Sequence, residues 1–332
     1  MATQRRYQKR KKSRRKKTSV TKTAYSLLTI AAAFVLLVTV NSFLPFSPAI
    51  PTWQKIANEW RDLTVDSSFP NTEISSADVS VHYIDVGQGN CTLIRTKEHN
   101  ILIDAGENDQ GDTVVAYLKA QGVERLDYAV ASHPHSDHIG GMDVVINAIP
   151  TENIIMPKLE KSIVPTTRTY EDLLDAIEMQ RVNVIQANVG DDYEIDGAVM
   201  TILGPSGEYN DLNNMSVAVR FSYQNIAFLS TADMEKKAEL DLLEYGENLR
   251  ANVFLASHHG SKTSNTEEFL DQVGAEYYVI QCGYQNEYGH PHAEALKRFE
   301  ERHGEILRSD ILGNIVFETD GEGLTVHTQK EG

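Results

Sequence analysis

The segment Ser132-His133-Pro134-His135-Ser136-Asp137-His138 places three imidazoles and a carboxylate within the six residues 133–138. Imidazole nitrogen is a borderline donor and carboxylate oxygen a hard one, and this mixture suits a pair of divalent ions such as Zn²⁺. The spacing assigns His133 and His135 to one metal and Asp137 and His138 to the other. Two such ions can ionise a water near neutral pH for attack on phosphorus or a carbonyl, with no protein nucleophile required. Gly140 and Gly141 follow directly and are expected to let the backbone pass close to the ions.

Loops with this content need rigid elements to hold them. An apolar strand over 126–131 leads into the histidines, and a second apolar run, Phe228-Leu229-Ser230-Thr231-Ala232-Asp233, ends on a carboxylate. Further donors stand at Ala256-Ser257-His258-His259-Gly260-Ser261 and at His290 and His292. Read as a strand, the His258–His259 pair would point to opposite faces, so both could not easily bind one ion. Strands are predicted at 79–84, 91–95, 100–103, 126–131, 199–203, 216–221, 226–229, 253–256 and 277–282, and helices at 112–121, 170–180, 235–245 and 293–302. Mixed elements in this number predict an α/β (α+β) fold: two sheets packed face to face with helices outside. No internal repeat or low-complexity stretch divides 79–332, which therefore reads as one domain.

These segments together resemble the metallo-β-lactamase superfamily, in particular its ComEC-like competence branch, over nearly all of 79–328. Asp85-Val86-Gly87-Gln88-Gly89-Asn90 resembles the entry motif of that branch, with Asn90 where Asp is usual, and Leu102-Ile103-Asp104-Ala105-Gly106 resembles its next strand. The resemblance implies an αββα sandwich and two divalent metal ions, Zn²⁺ with Mn²⁺ as the alternative. It implies that Asp104 orients a ligand histidine from behind, with Asp85 in the same supporting layer, and that Asp233 bridges both metals. His259 is implied as a ligand of the second metal, leaving His258 to contact substrate or act as general acid beside Asp137, with His290 also reaching the site. Ala232 replaces the usual Gly. No histidine stands between His138 and Asp233. In its place Asn213, Asn214 and Ser216, joined by Ser261, offer amides and hydroxyls that suit phosphate oxygens better than metal.

Composition sets the wider frame. The chain of 332 residues has a formal net charge of −16, but eleven Lys/Arg and no acid lie in its first twenty-two residues. The remainder carries 20 basic against 47 acidic side chains, which argues against tight, sequence-independent nucleic-acid binding by the body as a whole. The basic tail (1–23) precedes an uncharged apolar stretch (24–46) of the length that crosses a bilayer, read as a signal anchor rather than a cleaved signal peptide. Basic flanks stay in the cytoplasm, so the body is expected on the far side of the membrane. A linker (47–78) follows, with Trp53, Ile56, Trp60 and Leu63 on one helical face, suited to the outer interface or to docking on the domain. Cys91 and Cys282 each sit in an apolar run and read as buried free thiols.

The function expected from these features is a metal-dependent phosphodiesterase or nuclease acting outside the cytoplasm on DNA or a cell-envelope phosphodiester. A hydrolase of small esters or lactams is the alternative enzyme, and a non-catalytic surface module that binds nucleic acid or envelope polymer is the alternative from another class. No protein partner is implied.

Overall fold

The computed structural model describes residues 77–331 together with Val35 and Thr39. Both of those residues are helical, and the Thr39 hydroxyl donates to the Val35 carbonyl (2.7 Å). The rest of the predicted anchor, the basic tail and the linker up to residue 76 lie outside the described residues. Among the described residues no helix is long and apolar enough to cross a membrane.

Among the described residues fifteen strands form two sheets. The first contains β1 (Val79–Tyr83), β2 (Thr92–Arg95), β3 (Asn100–Ile103), β4 (Leu126–Val130), β5 (Thr151–Met156), β6 (Asn183–Gln186), β14 (Ile315–Thr319) and β15 (Leu324–Thr328). Its order is β15-β14-β1-β2-β3-β4-β5-β6. The second contains β7 (Asp192–Ile195), β8 (Ala198–Ile202), β9 (Val219–Tyr223), β10 (Ile226–Ser230), β11 (Val253–Leu255), β12 (Tyr277–Ile280) and β13 (Glu305–Arg308), in the order β13-β12-β11-β10-β9-β8-β7. In each sheet the strands that carry the site are parallel: β3, β4 and β5 in one, β10, β11 and β12 in the other. Their carboxyl ends therefore share an edge within each sheet, where α/β proteins place ligands.

Strand periodicity explains the layers. Ile101 and Ile103 of β3, Val130 of β4 and Ile155 of β5 face the other sheet and join Phe228, Val253 and Phe317 in a core between the sheets. Their neighbours Leu102, Ala129 and Ile154 face outward under the helices α1 (Gly111–Ala120), α3 (Met142–Ala148) and α4 (Arg168–Gln180). Outside the second sheet, Leu229, Phe254 and Tyr278 pack beneath α5 (Lys236–Tyr245), α6 (Glu267–Val273) and α7 (Ala293–Glu300). Strands buried on both faces read as continuous apolar runs rather than alternating ones. The result is the four-layered mixed fold expected from the sequence, and Cys91 and Cys282 are both buried and free.

The structure shifts one predicted strand. The run at 216–221 becomes β9 only from Val219, because Ser216 to Ala218 are drawn into the site loop, where Val217 N–H donates to the Ser132 carbonyl (2.8 Å).

Candidate metal centre

Four chain segments converge at the strand ends. β4 delivers the loop with His133 and His135 and then α2 (Ser136–Ile139) with Asp137 and His138, while β10 delivers Asp233. β11 delivers His258 and His259 on a 3-10 turn (Ser257–Gly260), and the segment after β12 delivers His290. Asp233 lies among the histidines. One carboxylate oxygen is 3.1 Å from His138 Nε2 and 3.7 Å from His259 Nε2, and the other is 3.8 Å from His133 Nε2 and 3.5 Å from His258 Nε2. His133 Nε2 also faces His135 Nδ1 at 3.0 Å, and His259 Nε2 faces Asp137 at 3.1 Å. Two overlapping sets of donors result, each compact enough to hold an ion: Asp137, His138, Asp233 and His259; and His133, His135 and Asp233.

The far sides of the imidazoles are fixed by the fold. His138 Nδ1–H donates to Asp104 (2.8 Å), and the same carboxylate accepts from the Ser132 hydroxyl (2.8 Å) and backbone N–H (2.9 Å). His259 Nδ1–H donates to the Gln281 carbonyl (2.9 Å). Each bond occupies Nδ1 and turns Nε2 toward the carboxylates, the orientation that metal-binding histidines require. Gln281 further ties the two sheets beneath the site, its side-chain amide donating to the carbonyls of Ile84 (2.8 Å) and Cys91 (2.9 Å).

The electrostatics ask for a cation. Burial alone would raise the pKa values of Asp137 and Asp233, yet the surrounding histidines, His138 foremost, hold both well below the usual carboxylate range. Burial opposes charge on His138 too, but Asp233, Asp137 and Asp104 outweigh it and raise its pKa well above the ordinary value. Burial lowers the values for His133 and His135. Among the described residues no lysine or arginine joins either donor set. His138 Nε2 and Asp233 Oδ1 are buried without hydrogen-bond partners, a costly arrangement that a shared ion relieves. The residues therefore fit two divalent ions.

The adjacent histidines separate for a reason other than the one expected. They lie beyond the strand, both in left-handed conformation (φ 52° and 54°), with ring centroids 6.1 Å apart. His259 turns inward to Asp137. His258 remains partly exposed between Asp233 and Glu235, its Nδ1 3.6 Å from the Glu235 carboxylate. Two such backbone conformations cost roughly 1–3 kcal/mol each and persist only where the surroundings enforce them. Glu239 of α5, buried, supplies the enforcement: it accepts from the N–H groups of Asn265 (2.6 Å) and Thr266 (2.9 Å) and from the Ser257 hydroxyl (3.3 Å). Asn265 in turn bonds the Ser257 N–H and the carbonyls of Ser257 and Ser261. Neither Glu239 nor Gln281 is identifiable from the sequence, because a charged residue within a helix and an amide after a strand carry no motif.

A cavity of about 510 Å³ opens over the centre, lined by His135, Asp137, Asp233, His258, His259 and His290 together with Asn213 and, further out, Gln88, Glu107, Thr167 and Tyr288. The structure does not bring the other proposed substrate contacts to this wall. Ser216 is wholly buried behind the centre, its hydroxyl accepting from Asp233 N–H (3.2 Å) and lying 3.3 Å from His133 Nδ1. Asn214 is buried and accepts from Glu235 N–H (3.0 Å), and Ser261 is buried against Thr263 (2.9 Å). Asp85 likewise does not support a histidine: its carboxylate accepts from Gly87 N–H (3.2 Å) and closes its own turn. Gly140 and Gly141 also serve differently from expectation. A Cβ on Gly140 would lie 2.3 Å from Asn108 N, and one on Gly141 2.5 Å from the Ala105 carbonyl, so they admit neighbouring backbone rather than ions. Gly89 makes the close approach to the site, where a Cβ would sit 2.3 Å from the Asp137 carbonyl.

Comparison with known proteins agrees with this geometry. Residues 84–284 match the metallo-beta-lactamase superfamily model. The chain is similar to competence protein ComA of Neisseria gonorrhoeae, 34% identical over 254 residues that cover 75% of this chain and 34% of that protein. It is also similar to ComE operon protein 3 of Bacillus subtilis, 26% identical over 261 residues covering 73% and 33%. The chain thus spans about a third of the length of these relatives. Among solved structures, CmlA, a diiron beta-hydroxylase from Streptomyces venezuelae, superposes with a TM-score of 0.51 at 13% identity over 73% of this chain and 54% of that one, a likeness of fold alone.

Proposed function

The chain belongs to the metallo-beta-lactamase superfamily, and from that premise we propose that it is a two-metal phosphodiesterase acting on DNA or another phosphodiester outside the cytoplasm. The observation that carries the reading is Asp233, a buried carboxylate shared by two donor sets at the floor of an open cavity. His133, His135 and Asp233 would hold one ion, and Asp137, His138, Asp233 and His259 the other, with zinc the first choice and manganese the second. When bound, such ions supply Lewis acidity at phosphoryl oxygens and let water ionise near neutral pH.

The remaining work belongs to the chain. Asp104 and the Gln281 carbonyl hold the Nδ1 sides of His138 and His259 and so aim Nε2 of each ring inward. His258, partly exposed on the cavity wall, is placed to give a proton to the departing oxygen, and His290 stands beside it with its rings 5.5 Å away. Burial, with His259 and His258 nearby, lowers the His290 pKa to about 4, so it enters neutral solution as an uncharged imidazole that can bond a phosphate oxygen or leaving group. The Asn213 amide lines the same wall. Competence relatives favour DNA among phosphodiesters.

Hydrolysis of bis-para-nitrophenyl phosphate, set against a penicillin-type substrate with and without a chelator, tests the reading. Chelator-sensitive cleavage of the diester alone is the expected result. Preferential lactam cleavage would move the assignment to the alternative enzyme, and no cleavage of either would favour a binding module. The extracytoplasmic placement rests on the basic tail and the apolar stretch at 24–46. Protease added to wall-stripped intact cells should digest the domain; protection until lysis would reverse the orientation.

A further inference from the structure

Tyr288 lines the cavity and is 64% exposed. It lies nearly parallel to His290, with ring centroids 5.7 Å apart and planes 18° from parallel. His290 in turn meets His258 edge-on. One face of Tyr288 is thus backed by a ring that borders the metal centre. The segment that presents it is pinned by Asn286, whose side chain donates to the carbonyls of Gly283 (2.8 Å) and His290 (2.6 Å) and accepts from His290 N–H (3.0 Å). A fixed aromatic platform beside the reacting centre loses little entropy when a flat ring stacks on it.

The rest of the wall narrows the ligand. Among the described residues no lysine or arginine lines the cavity, whose polar side chains beyond the histidines are acids, amides and hydroxyls. Of these, Gln88 Nε2 and Asn213 Oδ1 are buried without a hydrogen-bond partner among the described residues. Such a wall cannot track a run of phosphates by charge, and the acidic body repels a polyanion at long range. Recognition beyond the phosphodiester at the centre then falls to a flat group that can stack on Tyr288.

We infer that Tyr288 is a stacking platform for the nucleobase next to the scissile phosphodiester, which makes the substrate a single-stranded oligonucleotide rather than a duplex. The inference rests on the phosphodiesterase reading of the same site and adds the group that the site recognises. A base within a duplex is already stacked on its neighbours and cannot lie on the tyrosine, whereas base–aromatic stacking is the common device of single-strand binding.

The test is equilibrium binding of the full chain to a fluorescein-labelled tetrathymidylate with phosphorothioate linkages, against an equally long abasic phosphorothioate. The thymidylate should bind roughly 5- to 150-fold more tightly, the range for one base–aromatic stack. Tyr288→Ala should erase that preference and Tyr288→Trp should retain it. Equal affinity for the two probes overturns the inference and points to a phosphodiester without a base, and a base preference that survives Tyr288→Ala overturns it by placing base recognition elsewhere. The outcome is separable from the parent reading. Chelator-sensitive cleavage of bis-para-nitrophenyl phosphate without base preference removes the platform alone, and base-dependent binding without cleavage removes the enzyme alone.

Discussion

Asp233 presents its two carboxylate oxygens to different histidines: Oδ1 to His138 and His259, Oδ2 to His133 and His258. Asp233→Asn keeps the shape of the side chain and removes the charge that both donor sets share. Metal content should therefore fall and diester hydrolysis should drop by ~10²-fold or more, while the unfolding midpoint changes little. The adjacent histidines should part company. His259→Ala should lose an ion, because its Nε2 lies 3.1 Å from Asp137 in a closed set of donors. His258→Ala should keep both ions and lose turnover by ~10²-fold or more, the loss expected for a general acid. The opposite pattern, measured as metal content beside turnover, would exchange the two assignments. At this scale the sequence was most legible where donors are dense. The cluster at 133–138 announces itself, whereas Ser216 and Asn214 read as phosphate contacts but are buried behind the centre. Residue type alone does not tell which face of a loop is open to solvent.

The elements hold the strained parts of the site in place. The turn bearing His258 and His259 depends on Glu239, which sits in α5 and reaches the N–H groups of Asn265 and Thr266. Glu239→Ala would leave these two buried N–H donors without a partner, while the Ser257 hydroxyl keeps its bond to Thr231 (2.7 Å), a loss of roughly 2 kcal/mol or more at about 1–3 kcal/mol for each group. Denaturant unfolding that matched the wild type would contradict this role. A second element-scale consequence concerns β1 and α1, joined by His82, whose Nδ1 lies 2.9 Å from the Tyr117 hydroxyl and Nε2 2.9 Å from Ser80. Burial, with Arg95 adding to it, depresses the His82 pKa from 6.5 to about 3. The folded state then refuses a proton that the unfolded chain accepts. Stability from this group is whole above pH 6.5 and falls as pH drops toward 3, by about 2 kcal/mol between pH 7 and 5. The stability difference between wild type and His82→Phe should shrink by that amount over the same interval; an unchanged difference would contradict it. Among the elements themselves, β3 was legible to the residue because Asn100–Ile103 is a short apolar run on a buried strand. The edge strand β6 was not, since Asn183–Gln186 is polar and largely exposed and pairs with β5 on one side only. Glu239 was equally hidden, for its partners lie some twenty-six residues away in sequence.

At the scale of the molecule, a body carrying 20 basic against 47 acidic side chains surrounds a site that gathers carboxylates without a lysine or arginine. On the proposed reading, positive charge at the centre comes from bound ions, and substrate is drawn by those ions and by stacking rather than by a basic surface. The chain spans about a third of its competence relatives, so the domain described here corresponds to one part of those longer proteins. The proposed activity depends on whether the two donor sets are filled together. Elemental analysis of the purified full chain measures that directly. The expected result is about two transition-metal ions per chain, lost on dialysis against a chelator and regained with zinc or manganese. A protein that stays metal-free after incubation with both would contradict the account.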